Sequence, residues 1–112
     1  MSQLTSHVLD TTTGKPAKEI TAVLYYGEND EWKEIRRGIT NDDGRIKDLF
    51  GTTENLTYGI YKMRFETKDY FDKKQIKTFY PFVEIIFEID SKEHYHIPLL
   101  LNPFGYTTYR GS

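Results

Sequence analysis

Short runs in which apolar and polar residues alternate, cut by turn signals, fill most of the sequence. A period of two predicts strands with one buried face, and several such runs at short spacing predict a sandwich or barrel. "EITAVLYYG" sets Ile20, Ala22, Leu24 and Tyr26 against Glu19, Thr21, Val23 and Tyr25. "LTYGIYKMRFET" puts Tyr61, Met63 and Phe65 on one face, with Tyr58, Ile60 and Lys62 on the other. The cleanest alternation is "PFVEIIFEI", where Val83, Ile85, Phe87 and Ile89 oppose Glu84 and Glu88. "LTSHVLD", "WKEIRRGIT", "RIKDLF", "HYHIPLLL" and "YTTYRGS" bring the candidate strands to eight.

The pattern breaks at "KDYFDKKQ", where charges surround Tyr70 and Phe71. That stretch predicts one brief amphipathic helix, capped by Thr67 or Asp69. "TTTGKPA" reads as a turn-rich loop, and "ENDE", "DSKE" and "NPFG" as turns. "NDDGR" is a strong turn signal built on Asp43–Gly44. Pro98 cannot donate to a ladder, so it belongs at a sheet edge or an irregularity. A short last strand beside it needs covering, for which a second subunit would serve. The expected architecture is all-β, a two-sheet antiparallel sandwich with one short helix.

Residues 1–112 read as one domain, a size that folds without covalent staples. Aromatics at 15%, nine of them tyrosine, strengthen the leaning towards sheet. With no cysteine, neither disulfides nor thiolate metal sites are available, and a reducing compartment suits the chain. A net charge of −2 argues against a nucleic-acid partner, which calls for a basic face. The start lacks the charged-then-apolar order of a secretory signal. Leu99–Leu101 is far shorter than the ~20 apolar residues of a membrane helix. The expectation is a soluble, cytoplasmic protein with no membrane partner.

Chemistry gathers near the end, in "HYHIPLLLNPFGYTTYRGS". His94 and His96 share one face of a strand, because residues two apart point the same way. Zinc would need His7 or a carboxylate to join them, and the expectation is a metal-free, cofactor-free site. His7, Arg45, His96, Tyr109 and the last residues form the candidate polar site. Neutral imidazole, with an unperturbed pKa of ~6.5, can take a proton from water near neutrality. Arginine keeps its charge and offers a rigid fork of donors to an anionic or carbonyl-rich ring. A carboxylate at Ser112, with a pKa of ~3.5, would orient a histidine and stabilise its cation. These parts suffice for metal-free hydrolysis of an activated amide.

Three stretches together, "LTSHVLDTTTGKPA", "TNDDGR" and "HYHIPLLLNPFGYTTYRGS", resemble the 5-hydroxyisourate hydrolases of the transthyretin-related protein family. The likeness runs through essentially the whole chain, and the closing Tyr-Arg-Gly-Ser is its most specific part. The resemblance implies a transthyretin-like β-sandwich of two four-stranded sheets, with the helix after the fifth strand. It implies a homotetramer whose active sites lie at the dimer–dimer interface. It also implies opening of 5-hydroxyisourate to an ureidoimidazoline on the route from urate to allantoin. The family's site residues fall on His7, Arg45, His96 and Ser112 for catalysis, with Tyr109, Arg110 and Gly111 lining the substrate. Either His7 or His96 serves as base for water, while Ser112 orients a histidine through its carboxylate or hydroxyl. His94 is assigned a structural role. The rivals are a hormone carrier on the same sandwich and a plain interaction module.

Overall fold

Alternation becomes strand here because each run can turn one row of side chains inward and leave the other outside. The computed structural model describes residues 3–46 and 56–111. Among these, the strands are β1 (Leu4–Asp10), β2 (Lys15–Pro16), β3 (Thr21–Glu28), β4 (Glu31–Ile39), β5 (Gly59–Phe65), β6 (Val83–Ile89), β7 (Tyr95–Asn102) and β8 (Gly105–Thr108). Helix α1 (Thr67–Lys73) follows β5. The strands form two four-stranded sheets, ordered β2-β1-β7-β8 and β4-β3-β5-β6.

Between the sheets lies the core. Leu4, Val8, Ile97, Leu99 and Leu101 enter it from the first sheet. Ala22, Leu24, Tyr61, Met63, Phe65, Val83 and Ile89 come from the second. The faces expected for β5 and β6 are the ones observed, with Ile60 and Ile86 turned out to solvent. Val23 falls on the outer face by alternation yet is buried. Its cross-strand neighbours are Arg37 and Arg64, and long arginine stems cover apolar surface while their heads stay wet.

Three expectations change. The sandwich is not wholly antiparallel, because β1 and β7 pair in parallel from Leu4↔Tyr95 to Asp10↔Leu101. A parallel pair needs a long crossover, and here the entire second sheet supplies it. The eighth strand is also a different one. "TTTGKPA" is not only loop: Asp10 accepts from the Thr12 N–H at 2.9 Å, the chain turns back, and Lys15–Pro16 pairs with β1. Of "RIKDLF", Arg45 makes a single bridge to His7 and Ile46 enters the core, while positions 47–50 lie outside the described residues. Finally, neither Thr67 nor Asp69 caps α1. The β5 ladder runs on to Glu66, whose N–H bonds the Thr21 carbonyl at 2.9 Å, so the helix starts directly at Thr67. Asp69 instead lies in the first turn, where its charge suits the helix dipole.

Pro98 sits inside a central strand, at the irregularity expected of it. The β7–β8 ladder runs from Asn102↔Gly105 to Leu99↔Thr108, lapses at Pro98, and returns as a lone bridge between His96 and Gly111. The Thr108 hydroxyl partly fills the gap by donating to the Pro98 carbonyl at 2.7 Å.

Helix α1 is tied to the first sheet through a buried polar contact. The Tyr70 hydroxyl donates to Asp10 Oδ2 at 2.7 Å, and Asp10 is 1% exposed. Burial and that carboxylate push the Tyr70 hydroxyl well above its ordinary range. Tyr70→Phe should therefore destabilise the protein by about 1–3 kcal/mol, since a buried acceptor loses its donor. A lowered urea midpoint at unchanged slope is the expected reading.

Candidate active site

The core claims every second residue of β1 and β7, which leaves Thr5, His7 and Leu9, with His96 and Leu100, on the outer face. The parallel register sets Thr5 opposite His96 and His7 opposite Pro98. Both histidines are half-buried on this face. Two segments widen the sheet here. Arg45 bridges to His7 along one side, and Gly111 bridges to His96 along the other.

The turn at residues 41–45 brings the arginine in. Asn41 Oδ1 accepts from the N–H of Asp43 at 2.9 Å and of Arg45 at 3.1 Å, closing a tight loop. Gly44 then carries φ +73°, and its carbonyl accepts from the Val8 N–H at 2.9 Å. A side chain at Gly44 would run into the Val8 carbonyl oxygen, so only glycine lets the loop approach β1 this closely. The same loop supplies the backbone of Asp43 as a hydrogen-bond partner for His7.

Gly111 performs the matching service at the other side. Its N–H donates to the His96 carbonyl at 2.9 Å. A Cβ there would stand 2.6 Å from His96 Cδ2, so the imidazole edge packs on bare backbone. At its other edge, His96 Nδ1 lies 2.8 Å from the Thr5 hydroxyl, which also lies 3.0 Å from His94 Nε2.

Both half-buried imidazoles are held below the ordinary value of 6.5. For His7 the main cause is burial, followed by the Arg45 charge, with the Asp43 backbone and carboxylate opposing. For His96 burial again leads, followed by Arg45, His7 and His94, with a hydrogen bond to the Thr5 backbone opposing. Two neutral imidazoles beside a fixed cation can accept a proton from water and oppose a developing anion.

The structure brings His7, Arg45, His96 and Gly111 together. Tyr109 is exposed at the end of that segment. Arg110 turns elsewhere: its guanidinium lies over the Tyr95 ring at 4.3 Å and 3.6 Å from Glu93. Ser112 lies outside the described residues. Thr5 and Asp43 are additions that sequence reasoning missed. Thr5 was detectable in principle, since it sits two residues before His7 and shares its face. Among the described residues, no group of three or more His, Asp or Glu side chains is arranged to hold a metal ion.

A two-sheet sandwich with one short helix and this polar outer face fits the transthyretin-like class of proteins. The HIUase/Transthyretin family model matches residues 4–111, and the chain belongs to that family. It is 43% identical over 114 residues to the 5-hydroxyisourate hydrolase of Mus musculus, covering 99% of this chain and 96% of the relative. Sea bream transthyretin in complex with thyroxine superposes with a TM-score of 0.91 at 29% identity, covering 98% of this chain and 95% of that one. The 5-hydroxyisourate hydrolase of Klebsiella pneumoniae gives a TM-score of 0.84 at 34% identity, covering 97% and 98%.

NMR titration should show His7 and His96 taking up protons with midpoints below 6.5. Arg45→Gln removes a repulsive charge from both rings, so both midpoints should move upward.

Proposed function

We propose that the protein hydrolyses 5-hydroxyisourate to 2-oxo-4-hydroxy-4-carboxy-5-ureidoimidazoline, on the route that degrades urate to allantoin. One observation carries the reading. His7, Arg45 and His96 meet on one outer face, in a chain 43% identical to a 5-hydroxyisourate hydrolase. One of the two imidazoles takes a proton from water as its oxygen attacks a ring carbonyl. The other hydrogen-bonds the ring. The tetrahedral oxyanion develops beside Arg45, which also holds the carbonyl-rich substrate. As it collapses, the ring C–N bond breaks and the imidazolium returns its proton to the leaving nitrogen. Ser112 completes the catalytic set by orienting a histidine. Tyr109 and Gly111 line the substrate, and Arg110 anchors the segment that bears them.

The reading includes a homotetramer, in which the outer faces of two dimers meet and enclose the sites. Its setting is cytoplasmic; among the described residues no helix is long and apolar enough to cross a membrane. No cofactor or metal takes part. Thyroxine, which sea bream transthyretin binds, is the rival ligand. Against it stands the polar lining of this face, which offers imidazoles and a guanidinium where an iodinated ring needs apolar surface.

Freshly generated 5-hydroxyisourate should lose its ultraviolet absorbance faster with the protein than in buffer alone. No acceleration would overturn the proposal. His96→Asn or Arg45→Lys should lower the rate by at least ~10²-fold with the fold intact, the lower end of what a general base and an oxyanion donor each contribute. Treatment with a chelator should leave the rate unchanged. The acid limb of kcat/KM should have its midpoint below 6.5, because the base stays neutral until its lowered pKa is reached.

A further inference from the structure

His96 does not stand alone behind the proposed reaction. Thr5 Oγ1 lies 2.8 Å from His96 Nδ1 and 3.0 Å from His94 Nε2. A hydroxyl has one proton and two lone pairs, so it can donate to one ring while accepting from the other. Two arrangements satisfy the chain. In the first, His96 Nδ1–H donates to Thr5, Thr5 donates to His94, and His96 Nε2 is bare. In the second, every bond is reversed and His96 Nε2 carries the proton.

We infer that His96 is the base, and that Thr5 and His94 form a relay behind it which draws the accepted proton away from the site. This rests on the hydrolase reading. The step balances as follows. Water loses a proton to His96 Nε2 as its oxygen bonds the carbonyl carbon. His96 Nδ1–H passes to Thr5 Oγ1, and the original Thr5 proton passes to His94 Nε2. His96 ends neutral with Nε2–H, ready to donate to the leaving nitrogen, and His94 ends cationic. Reversal restores the start.

Several features of the fold favour this. The parallel register sets Thr5 directly across from His96, and His94, just ahead of β7, brings its Nε2 to the same hydroxyl at 3.0 Å. Gly111 packs on the Cδ2 edge of His96, where a Cβ would stand 2.6 Å away, so the ring is held in the orientation that faces Nδ1 to Thr5. The charges around the relay come from each neighbouring element. Burial and then Arg45 on the 41–45 turn disfavour a cation on His96, and His7 on β1 adds to this when it is itself protonated. Arg110 and Glu93 flank His94, the former within 3.4 Å of its carbonyl oxygen and 3.6 Å from the Glu93 carboxylate. Passing the proton outward separates it from Arg45. Thr5 is thereby a positioning residue that also sets the tautomer of the base.

The test compares Thr5→Val, Thr5→Ser and His94→Gln with wild-type protein in the absorbance assay, together with 15N NMR of the histidine side chains. Thr5→Val keeps the shape but loses the hydroxyl; kcat should fall ~10–100-fold, part of the general-base contribution, with KM nearly unchanged. Thr5→Ser restores the hydroxyl and should restore most of kcat. His94→Gln can still bond Thr5 but cannot hold a proton, and its kcat should fall by about tenfold or more. In the spectra, neutral His96 should be protonated on Nδ1 in wild-type protein and lose that preference in Thr5→Val. Active wild-type protein with an unimpaired Thr5→Val or His94→Gln overturns the relay alone. So does a Thr5→Ser variant as impaired as Thr5→Val, since packing and not the hydroxyl would then matter. Wild-type protein with no hydrolase activity overturns the functional reading and the relay with it.

Discussion

The parallel pairing of β1 with β7 is the constraint on which the rest depends. It is set by burial: Leu4, Ser6, Val8 and Asp10 face the core on one strand, and Tyr95, Ile97, Leu99 and Leu101 on the other. A slip of one residue would exchange the faces of a strand and expose its apolar set. The register that satisfies the core therefore decides which side chains meet outside it. Thr5 opposite His96 is a by-product of packing Leu4 and Val8. Chemistry on the outer face inherits its precision from hydrophobic matching on the inner one.

Two loops convert that face into a site, and each depends on a missing side chain. At Gly44 the absence of a Cβ lets the loop bond β1, which carries Arg45 to His7. At Gly111 it lets the last segment lie against the His96 ring. Between them, burial first and the guanidinium second hold both imidazoles below the ordinary value of 6.5. The cation that suits an oxyanion thus also keeps the bases ready.

Where a strand has seven or more residues and one buried face, its period was plain from sequence, as in β5 and β6. What escaped had no local period to detect. Two residues of β2 cannot alternate visibly, and the turn that returns them to β1 is held by the Asp10 side chain on the Thr12 N–H. The direction of β1 against β7 is a relation between segments some ninety positions apart, so no window along the chain contains it. The start of α1 was obscured because β5 runs straight into it, leaving Glu66 where a capping side chain was expected. The site divides in the same way. His7, Arg45 and His96 were named through motifs that resemble a family. Thr5 is an ordinary strand threonine until its partner across the sheet is known.

The crossover between β1 and β7 has a consequence for how the molecule is made. During synthesis the first strand emerges with its hydrogen-bonding edge vacant, and its partner follows only after the whole second sheet has been translated. Contacts so distant in sequence form slowly. A nascent chain arrested before residue 95 would carry the His7–Arg45 pair yet lack His96 and the strand that sets it beside them. Completion of the pocket thereby reports that both sheets have closed, and a partly translated product has no working half.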